Sequence, residues 1–554
     1  MKLTREKLIR QFVAANKQVV SLTLLSSFLS SMGSVLLPLS IGIYYQLAFQ
    51  ENTGKSELLR NAGITLTDLQ GFFLFFGGLT LVKAIMAWCE NIGMRTIEER
   101  FTRHIRKLLF HAQLNHEFSA FQSKPVGKYV LRYSSDMLAI QYYLSKGIIK
   151  SISDGAFLLA AFGLLFSINR TLSVALVIIF LSGAAIMLLL SRLQEEPNEN
   201  RRNARSSLIG FIEQRLQAFA TIKAFNRAHP EELKFEKRNN AFYTKSIRFH
   251  AVSALHKSIP QFIFFAAIGI LLFLALPKSA SSPASDGSLL VFILMLLYLQ
   301  SVYKRLLRVP AILNAGATSF KNLLAMLNQE HEVMHTAHAP SAKEPLNIRL
   351  DSVSFRFNED QAILTTISAQ FRSGQIHRIE GASGSGKSTL LKLLIKLYRP
   401  TSGTICLNNQ NIGQIGAHDL RKLITTVSED FPLLGKTIFE AISYSRNEAK
   451  KADTARMVVR LGLCTEENSE HYLMRRIQPF GSDLSSSERK MLQFARSLLT
   501  RKPILMLDEP FTNLTESAQD VICSELMTLK EKKLILIVAN TIPSPLTIDQ
   551  TFSL

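Results

Sequence analysis

The sequence predicts a multidomain protein: an all-α domain of six transmembrane helices followed by an α/β domain of P-loop NTPase type. Three observations carry this. Long apolar runs recur up to about residue 335 and then cease. Gly381-Ala-Ser-Gly-Ser-Gly-Lys387-Ser388 matches G-x-x-x-x-G-K-[ST] and lies between a strand-like segment, Gln375 to Glu380, and a helix-like run, Thr389 to Leu397. A second apolar run, Ile504 to Leu507, ends in the acidic pair Asp508-Glu509. At 554 residues the chain exceeds one ordinary domain, and its 47% hydrophobic content averages two unlike halves. The polar stretch Thr336 to Pro345 is the expected linker, which places the domains at residues 1–335 and 346–554.

Met1 to Gln18 is basic, with Leu8, Ile9, Phe12 and Val13 at helical spacing, and suits a helix lying on an anionic lipid bilayer surface. No charge occurs between Lys17 and Glu51, a stretch far longer than the apolar core of about 7–15 residues in a signal peptide. It is expected to hold one spanning helix, bent near Pro38. Leu69 to Asn91, Gly155 to Ile168, Thr171 to Leu190, Ile259 to Leu276 and Ser288 to Tyr303 supply five more, several meeting or approaching the span of about 20 residues that a bilayer needs. Asn169-Arg170 leaves room only for a tight turn.

The connections Arg95 to Lys150 and Arg192 to Lys257 are long and rich in Lys and Arg, whereas Gln50 to Asp68 and Pro277 to Gly287 are short and carry few. The long loops are therefore assigned to the cytoplasm. Six spans also return both termini there, where a P-loop domain meets ATP. Most of the net charge of +21 is thereby topogenic or lipid-facing, and with neither an aromatic-interleaved basic groove nor a reader motif, nucleic acid is not an expected partner. Cys89, Cys406, Cys464 and Cys523 are scattered without C-x-x-C spacing, so neither a zinc site nor a disulfide framework is indicated.

The phosphate loop has a direct physical reading. Gly381, Gly384 and Gly386 let the backbone N–H groups around Ala382, Ser383 and Ser385 curl about a polyphosphate, and the helix entered through Lys387, Ser388 and Thr389 points its partly positive end at the anion. Lys387 is expected on the β/γ-phosphates and Ser388 on Mg²⁺. His377, Arg378 and Glu380 are unexpected in a buried parallel strand, where apolar residues should dominate; Arg378 and Glu380, two apart, are placed to pair on one face.

Together these residues resemble the ATP-binding cassette exporters of the six-helix half-transporter type, over nearly the whole chain. Phe121-Gln-Ser-Lys-Pro-Val-Gly127 through Arg132 to Asp136 is similar to that family's first intracellular loop, and Gly210 to Glu213 with Ile222 to Asn226 to its second. The resemblance implies helical arms whose tips couple ATP binding to helix movement. It also implies that Asp508 steers Mg²⁺ and that Glu509 orients or deprotonates the attacking water. It places Phe357 where an aromatic stacks on adenine, although core packing accounts for Phe357 equally well. Glu429 stands where the family has a Gln near Mg²⁺ and is a further oxygen ligand by type.

Several positions depart from the family. Gly481-Ser-Asp-Leu484-Ser485-Ser486-Ser487-Glu488 aligns with a signature whose core is Leu-Ser-Gly-Gly-Gln, so both glycines are Ser and the Gln is Glu. Ser485-x-x-Glu488 also reads as a capping box opening a helix from Ser486 to Leu499. Thr515 replaces an Asp, and Asn540 replaces a switch His whose contact is with the γ-phosphate; an amide bonds phosphate but relays no proton. ATP and Mg²⁺ are the implied cofactors, with slow turnover expected. The implied assembly is a dimer with a second half-transporter, a heterodimer favoured over a homodimer because a homodimer carries the altered signature in both sites. An ATP-binding partner subunit with little hydrolysis of its own is the alternative. A bacterial cytoplasmic membrane is the expected location. The short N-terminal region argues against a built-in leader peptidase, and the substrate class stays open among lipids, peptides and hydrophobic drugs.

Overall fold

A computed structural model describes residues 3–49, 68–122, 129–130, 132–274, 286–329, 340–341, 344–357, 362–444 and 449–554. Two compact units result: Met1–Leu114 with Lys124–Gln329, and Asn115–Ser123 with Glu330–Leu554. The expected linker and the two short connections of the membrane half lie largely outside the described residues.

The first unit is helical throughout. Helix Arg5–Ala15, capped by the Thr4 side chain, buries Leu8 and Phe12. A single helix, Lys17–Phe49, runs on through Pro38. Helices Leu69–Leu114 and Ala228–Leu274 have 46 and 47 residues. At about 1.5 Å per residue each exceeds the roughly 30 Å hydrocarbon core about twofold, so the arms expected from the basic loops are continuations of spanning helices. Helices Lys150–Ile168 and Arg170–Leu193 are separated only by Asn169, whose extended backbone and side chain, accepting from Leu172 N at 3.2 Å, make the expected turn. Five helices among the described residues are long and apolar enough to cross a membrane. The expected sixth span falls within helix Asp286–Leu327. Phe157, Leu165, Leu176, Phe264 and Leu299 pack in the core of this unit. Leu74, Leu159, Leu181 and Phe273 stand outward and exposed, an arrangement suited to lipid.

Asp136, in the stretch resembling a first intracellular loop, is buried and bound by Arg132, by Arg202 at 3.2 Å and by Ser319 Oγ at 3.2 Å. It joins helix Ser135–Tyr142 to Glu195–Gln217 and to Asp286–Leu327.

The second unit holds two sheets. Strands β1 (Asn347–Arg356), β2 (Ala362–Arg372), β4 (Ser402–Leu407) and β5 (Gln410–Asn411) form an antiparallel sheet in the order β2-β1-β4-β5. Strands β3 (Ile376–Glu380), β6 (Ile424–Val427), β7 (Ile504–Asp508), β8 (Leu534–Val538) and β9 (Gln550–Ser553) form a parallel sheet in the order β6-β7-β8-β3-β9. β8 is apolar and wholly buried, as a central parallel strand should be. β3 departs from that rule because its outer neighbour is the short, polar and mostly exposed β9. His377 is buried beside Phe371, and its Nε2 accepts the Arg372 N–H at 2.9 Å. Arg378 and Glu380 pair at 3.0 Å, as their spacing suggests.

Within this unit the short helix Phe118–Gln122 packs by Phe118 against Tyr398. Tyr398 donates to Gln122 Oε1 at 2.6 Å, and Arg399 pairs with Glu117.

Candidate functional site

The phosphate loop joins β3 to a helix that begins at Lys387, two residues earlier than the sequence suggests, and ends at Leu394. Leu390, Leu391, Leu393 and Leu394 anchor this helix in the core between the sheets. The loop requires its glycines. Gly384 and Gly386 have φ of 85° and 95°. A Cβ on Gly386 would lie 2.5 Å from Leu364 Cδ2, whereas one on Gly384 would project into open space. Ala382 and Ser383, just before Gly384, are exposed, which leaves this part of the loop accessible to a ligand. Lys387, by contrast, is buried and folds back on the loop, donating to Gly381 O at 2.6 Å and Ala382 O at 3.0 Å. Ser385 N donates to Ala382 O at 3.2 Å, while its own Oγ is buried without a partner.

Asp508, at the end of β7, comes close to this loop at Ser388, whose hydroxyl favours the charged carboxylate. Ser428 Oγ, just beyond β6, donates to Asp508 Oδ2 at 3.2 Å. Asp508 Oδ1 is buried and unpartnered. Burial pushes the Asp508 carboxyl above its ordinary range, and the two serine hydroxyls oppose the shift. A carboxylate oxygen held dry, unpaired and beside a serine hydroxyl fits a small divalent cation that takes one or two protein oxygens and completes its shell with phosphate and water.

Glu509 follows in a left-handed backbone conformation, φ 48°, its N–H donating to Val538 O at 2.8 Å. Asn540 lies in the loop after the neighbouring strand β8. Arg378 holds that loop, donating from Nη2 to Asn540 O at 2.5 Å and from Nε to Ala539 O at 3.2 Å. A basic residue that looks misplaced in β3 thus serves as a clamp on the main chain at position 540.

Glu429 is not brought to Ser388 and Asp508. Its side chain is 77% exposed and lies 3.7 Å from Lys490. The physical reason is local: Ser428, the preceding residue, takes the place beside Asp508, which turns Glu429 away. Its neighbour Asp430 pairs with Lys392 of the phosphate-loop helix at 2.6 Å.

Phe357 is half exposed. Its ring stands edge-on to Phe355 and Tyr398 at 5.0 and 5.4 Å, along a cleft that Phe118 and Lys396 also line. One side is packed against these rings and the other is exposed.

The signature segment opens helix Ser486–Leu499 with the expected boundaries, and Ser485 Oγ accepts from Glu488 N at 3.0 Å. Only half of a capping box forms, because the Glu488 carboxylate is taken by Tyr472 Oη and Arg475 Nη1, both at 2.9 Å. Ser486 and Ser487 have ordinary backbone, so their side chains strain nothing locally. Thr515 caps helix Glu516–Lys530, accepting from Ala518 N at 3.4 Å. Ser428 and Lys490 are the contacts that sequence reading misses. The one available signal for Lys490 was a polar stripe, Lys490, Gln493, Arg496 and Ser497, recurring at helical spacing.

Comparison with known proteins agrees with this architecture. Residues 20–303 match the ABC transporter transmembrane region, and residues 364–512 match the ABC transporter nucleotide-binding model. The chain is 26% identical over 468 residues to the ATP-dependent lipid A-core flippase of Haemophilus influenzae, covering 84% of this chain and 79% of the flippase. It is 23% identical over 469 residues to the protein of that name from Ralstonia nicotianae, with the same coverage. Among solved structures, a bacterial Atm1-family ABC exporter with ATP bound superposes with a TM-score of 0.82 at 18% identity, covering 95% of this chain and 91% of that one. The fold is shared at that identity. With both regions matched in tandem on one polypeptide, the chain belongs to the ABC transporter family, as a half-transporter.

Proposed function

We propose that this half-transporter pairs with a second half and uses ATP to move an amphipathic, lipid-like substrate across a bacterial cytoplasmic membrane, with its nucleotide unit and both termini on the cytoplasmic side. The observation that carries the ATP chemistry is the meeting of Ser388 and Asp508 with one Asp508 oxygen left dry and unpaired. Ser388 and Asp508 would hold Mg²⁺, which supplies positive charge at the phosphate oxygens. Lys387, exchanging the Gly381 and Ala382 carbonyls for phosphate, binds the nucleotide. Phe357 offers its open face to the base, and Glu509 orients the attacking water and accepts its proton. The substrate class rests on the flippase relatives and on the apolar outer surface of the membrane unit.

Reconstitution in lipid nanodiscs tests this reading. Hydrolysis of ATP that requires Mg²⁺, rises with added amphipathic lipid and vanishes in Glu509→Gln is the expected result. Hydrolysis unaltered in Glu509→Gln would overturn the site assignment, and indifference to lipid would overturn the substrate class.

A heterodimer is the assembly we favour. Glu488, the last residue of the signature, is engaged by Tyr472 and Arg475 within its own chain. Two such signatures in a homodimer would leave both ATP sites weakened, whereas an unaltered partner restores one. Purification of a tagged copy from native cells should recover a second half-transporter in equal amount. Recovery of this chain alone, with brisk hydrolysis, would refute it. The same serine, Thr515 and Asn540 changes favour the second reading, a nucleotide-sensing subunit, which predicts ATP binding with negligible turnover.

A further inference from the structure

The polar stripe of helix Ser486–Leu499 faces two segments of the nucleotide unit. Arg496 donates from Nη1 to Pro432 O at 2.9 Å and from Nη2 to Phe431 O at 2.7 Å, and Ser497 donates to Thr426 O at 3.1 Å. These bonds hold β6 and the segment after it. Lys490 reaches the other way. Its ammonium, 4% exposed, donates to Glu509 O at 2.7 Å, to Thr512 O at 3.0 Å and to Thr512 Oγ1. The three donors of an ammonium are thereby engaged on the turn after β7.

That turn contains the left-handed Glu509, an uncommon conformation for a residue with a Cβ, which persists only where its surroundings impose it. Three bonds do so: Val538 O takes the Glu509 N–H, and the Glu509 carbonyl accepts both from Lys490 and from Thr512 Oγ1, the latter at 2.9 Å. The charge of Lys490 is matched by Glu429 at 3.7 Å. Burial lowers the Lys490 pKa, and Glu429 is first among the groups that oppose the shift. Two residue types that look wrong in isolation answer each other. Glu429 stands where the family has a neutral Gln, and a buried ammonium needs a counter-charge.

We propose that Lys490 is a positioning residue for ATP hydrolysis, holding the Glu509 main chain in its left-handed turn so that the carboxylate points at the water, and that it does so as a unit with Glu429. The inference rests on the reading of Glu509 given above. Lys490 touches neither nucleotide nor water in this account. It acts through Glu509.

The test uses the full-length protein in nanodiscs, with steady-state hydrolysis measured beside direct binding of a fluorescent ATP analogue. Lys490→Gln should lower kcat by about ten- to a hundredfold, the size of loss that misplacement of a reacting group brings, with KM and analogue affinity kept within about twofold. In a Glu429→Gln background the loss from Lys490→Gln should shrink by about threefold or more, as expected of charges that interact. Thr512→Ala, at an exposed position, removes one acceptor of the same ammonium together with the Thr512 hydroxyl's own bond to the Glu509 carbonyl, and should lower kcat by about threefold with affinity unchanged; a smaller loss from Thr512→Ala in a Glu429→Gln background assigns part of it to Lys490, which keeps the test open if Lys490→Gln does not fold. Equal losses in both backgrounds, an unchanged kcat in Thr512→Ala, or a parallel loss of analogue binding would overturn the proposal. Glu509→Gln separates the two readings: if that variant is inactive while the Lys490 and Thr512 variants turn over normally, only the Lys490 inference falls.

Discussion

Both units bury charge, and they neutralise it differently. In the membrane unit Glu90, Lys150, Asp154 and Arg305 form one cluster across three helices. Arg305 grips Asp154 with two bonds, at 2.7 and 2.8 Å, Lys150 lies 3.5 Å from Asp154, and Lys150 also pairs with Glu90. Ser27 of a fourth helix accepts from Lys150 at 2.9 Å. Two positive and two negative side chains balance. In the nucleotide unit the buried Lys490 lies on main-chain carbonyls, with its one paired carboxylate exposed and 3.7 Å away. A helix spends its carbonyls on its own hydrogen bonds, so a charge between spanning helices must find a side chain of opposite sign. The loops of an α/β unit leave carbonyls free, and a lone ammonium can be held by them. Arg378 on Ala539 and Asn540, and Arg496 on Phe431 and Pro432, repeat the second pattern.

The largest contrast is kinetic. Glu509→Gln should retain ATP binding and lose about 10²- to 10⁴-fold in hydrolysis, the range for removal of a general base, while substitutions in the membrane cluster should leave ATP affinity of the nucleotide unit intact. Phosphate release and analogue binding measured on the same preparations check this. Lys387→Ala should instead abolish binding.

Thermal unfolding in nanodiscs sharpens the membrane side. Asp154→Leu removes the buried partner of the partly exposed Arg305 and should cost about 1.5–3 kcal/mol, the range for hydrogen bonds to a charged group, whereas Asp154→Leu combined with Arg305→Met, which leaves Lys150 and Glu90 paired, should recover most of that loss. Equal destabilisation by the single and double variants would show that these charges are not coupled.

A smaller effect, in the nucleotide unit, depends on pH. Burial lowers the His377 pKa below its ordinary value of 6.5, and the neutral ring accepts the Arg372 N–H. A depressed pKa in the folded state means that the unfolded chain binds the proton more readily. The contribution is therefore present above about pH 6.5 and lost as the pH falls through the lowered value. Unfolding of the nucleotide unit should show this acid loss, and His377→Gln should flatten it.

The smallest change expected is at Phe357. Phe357→Ala should weaken ATP binding by an amount equivalent to about 0.5–1.5 kcal/mol, the value of one aromatic contact, and leave kcat unchanged. No change in affinity would assign the ring to packing against Phe355 and Tyr398 alone.

Much of this protein was legible as sequence, because the features in question are local. The glycine spacing of the phosphate loop, the apolar lengths of the spans, the turn at Asn169 and the start of the signature helix at Ser486 each depend on neighbours a few residues away, where backbone sterics and periodicity act directly. The pairing of Arg378 with Glu380 is of the same kind. Tertiary structure decided what joins distant segments. Ser428 reaches Asp508 across 80 residues, Arg305 reaches Asp154 across 151, and Glu117 meets Arg399 across 282. It also decided that Ser428 rather than Glu429 would stand at Asp508, and that a buried lysine of helix Ser486–Leu499 would hold Glu509. No spacing rule encodes these contacts, since a charged side chain finds its partner only after packing has fixed which segments lie side by side and which of their carbonyls remain free.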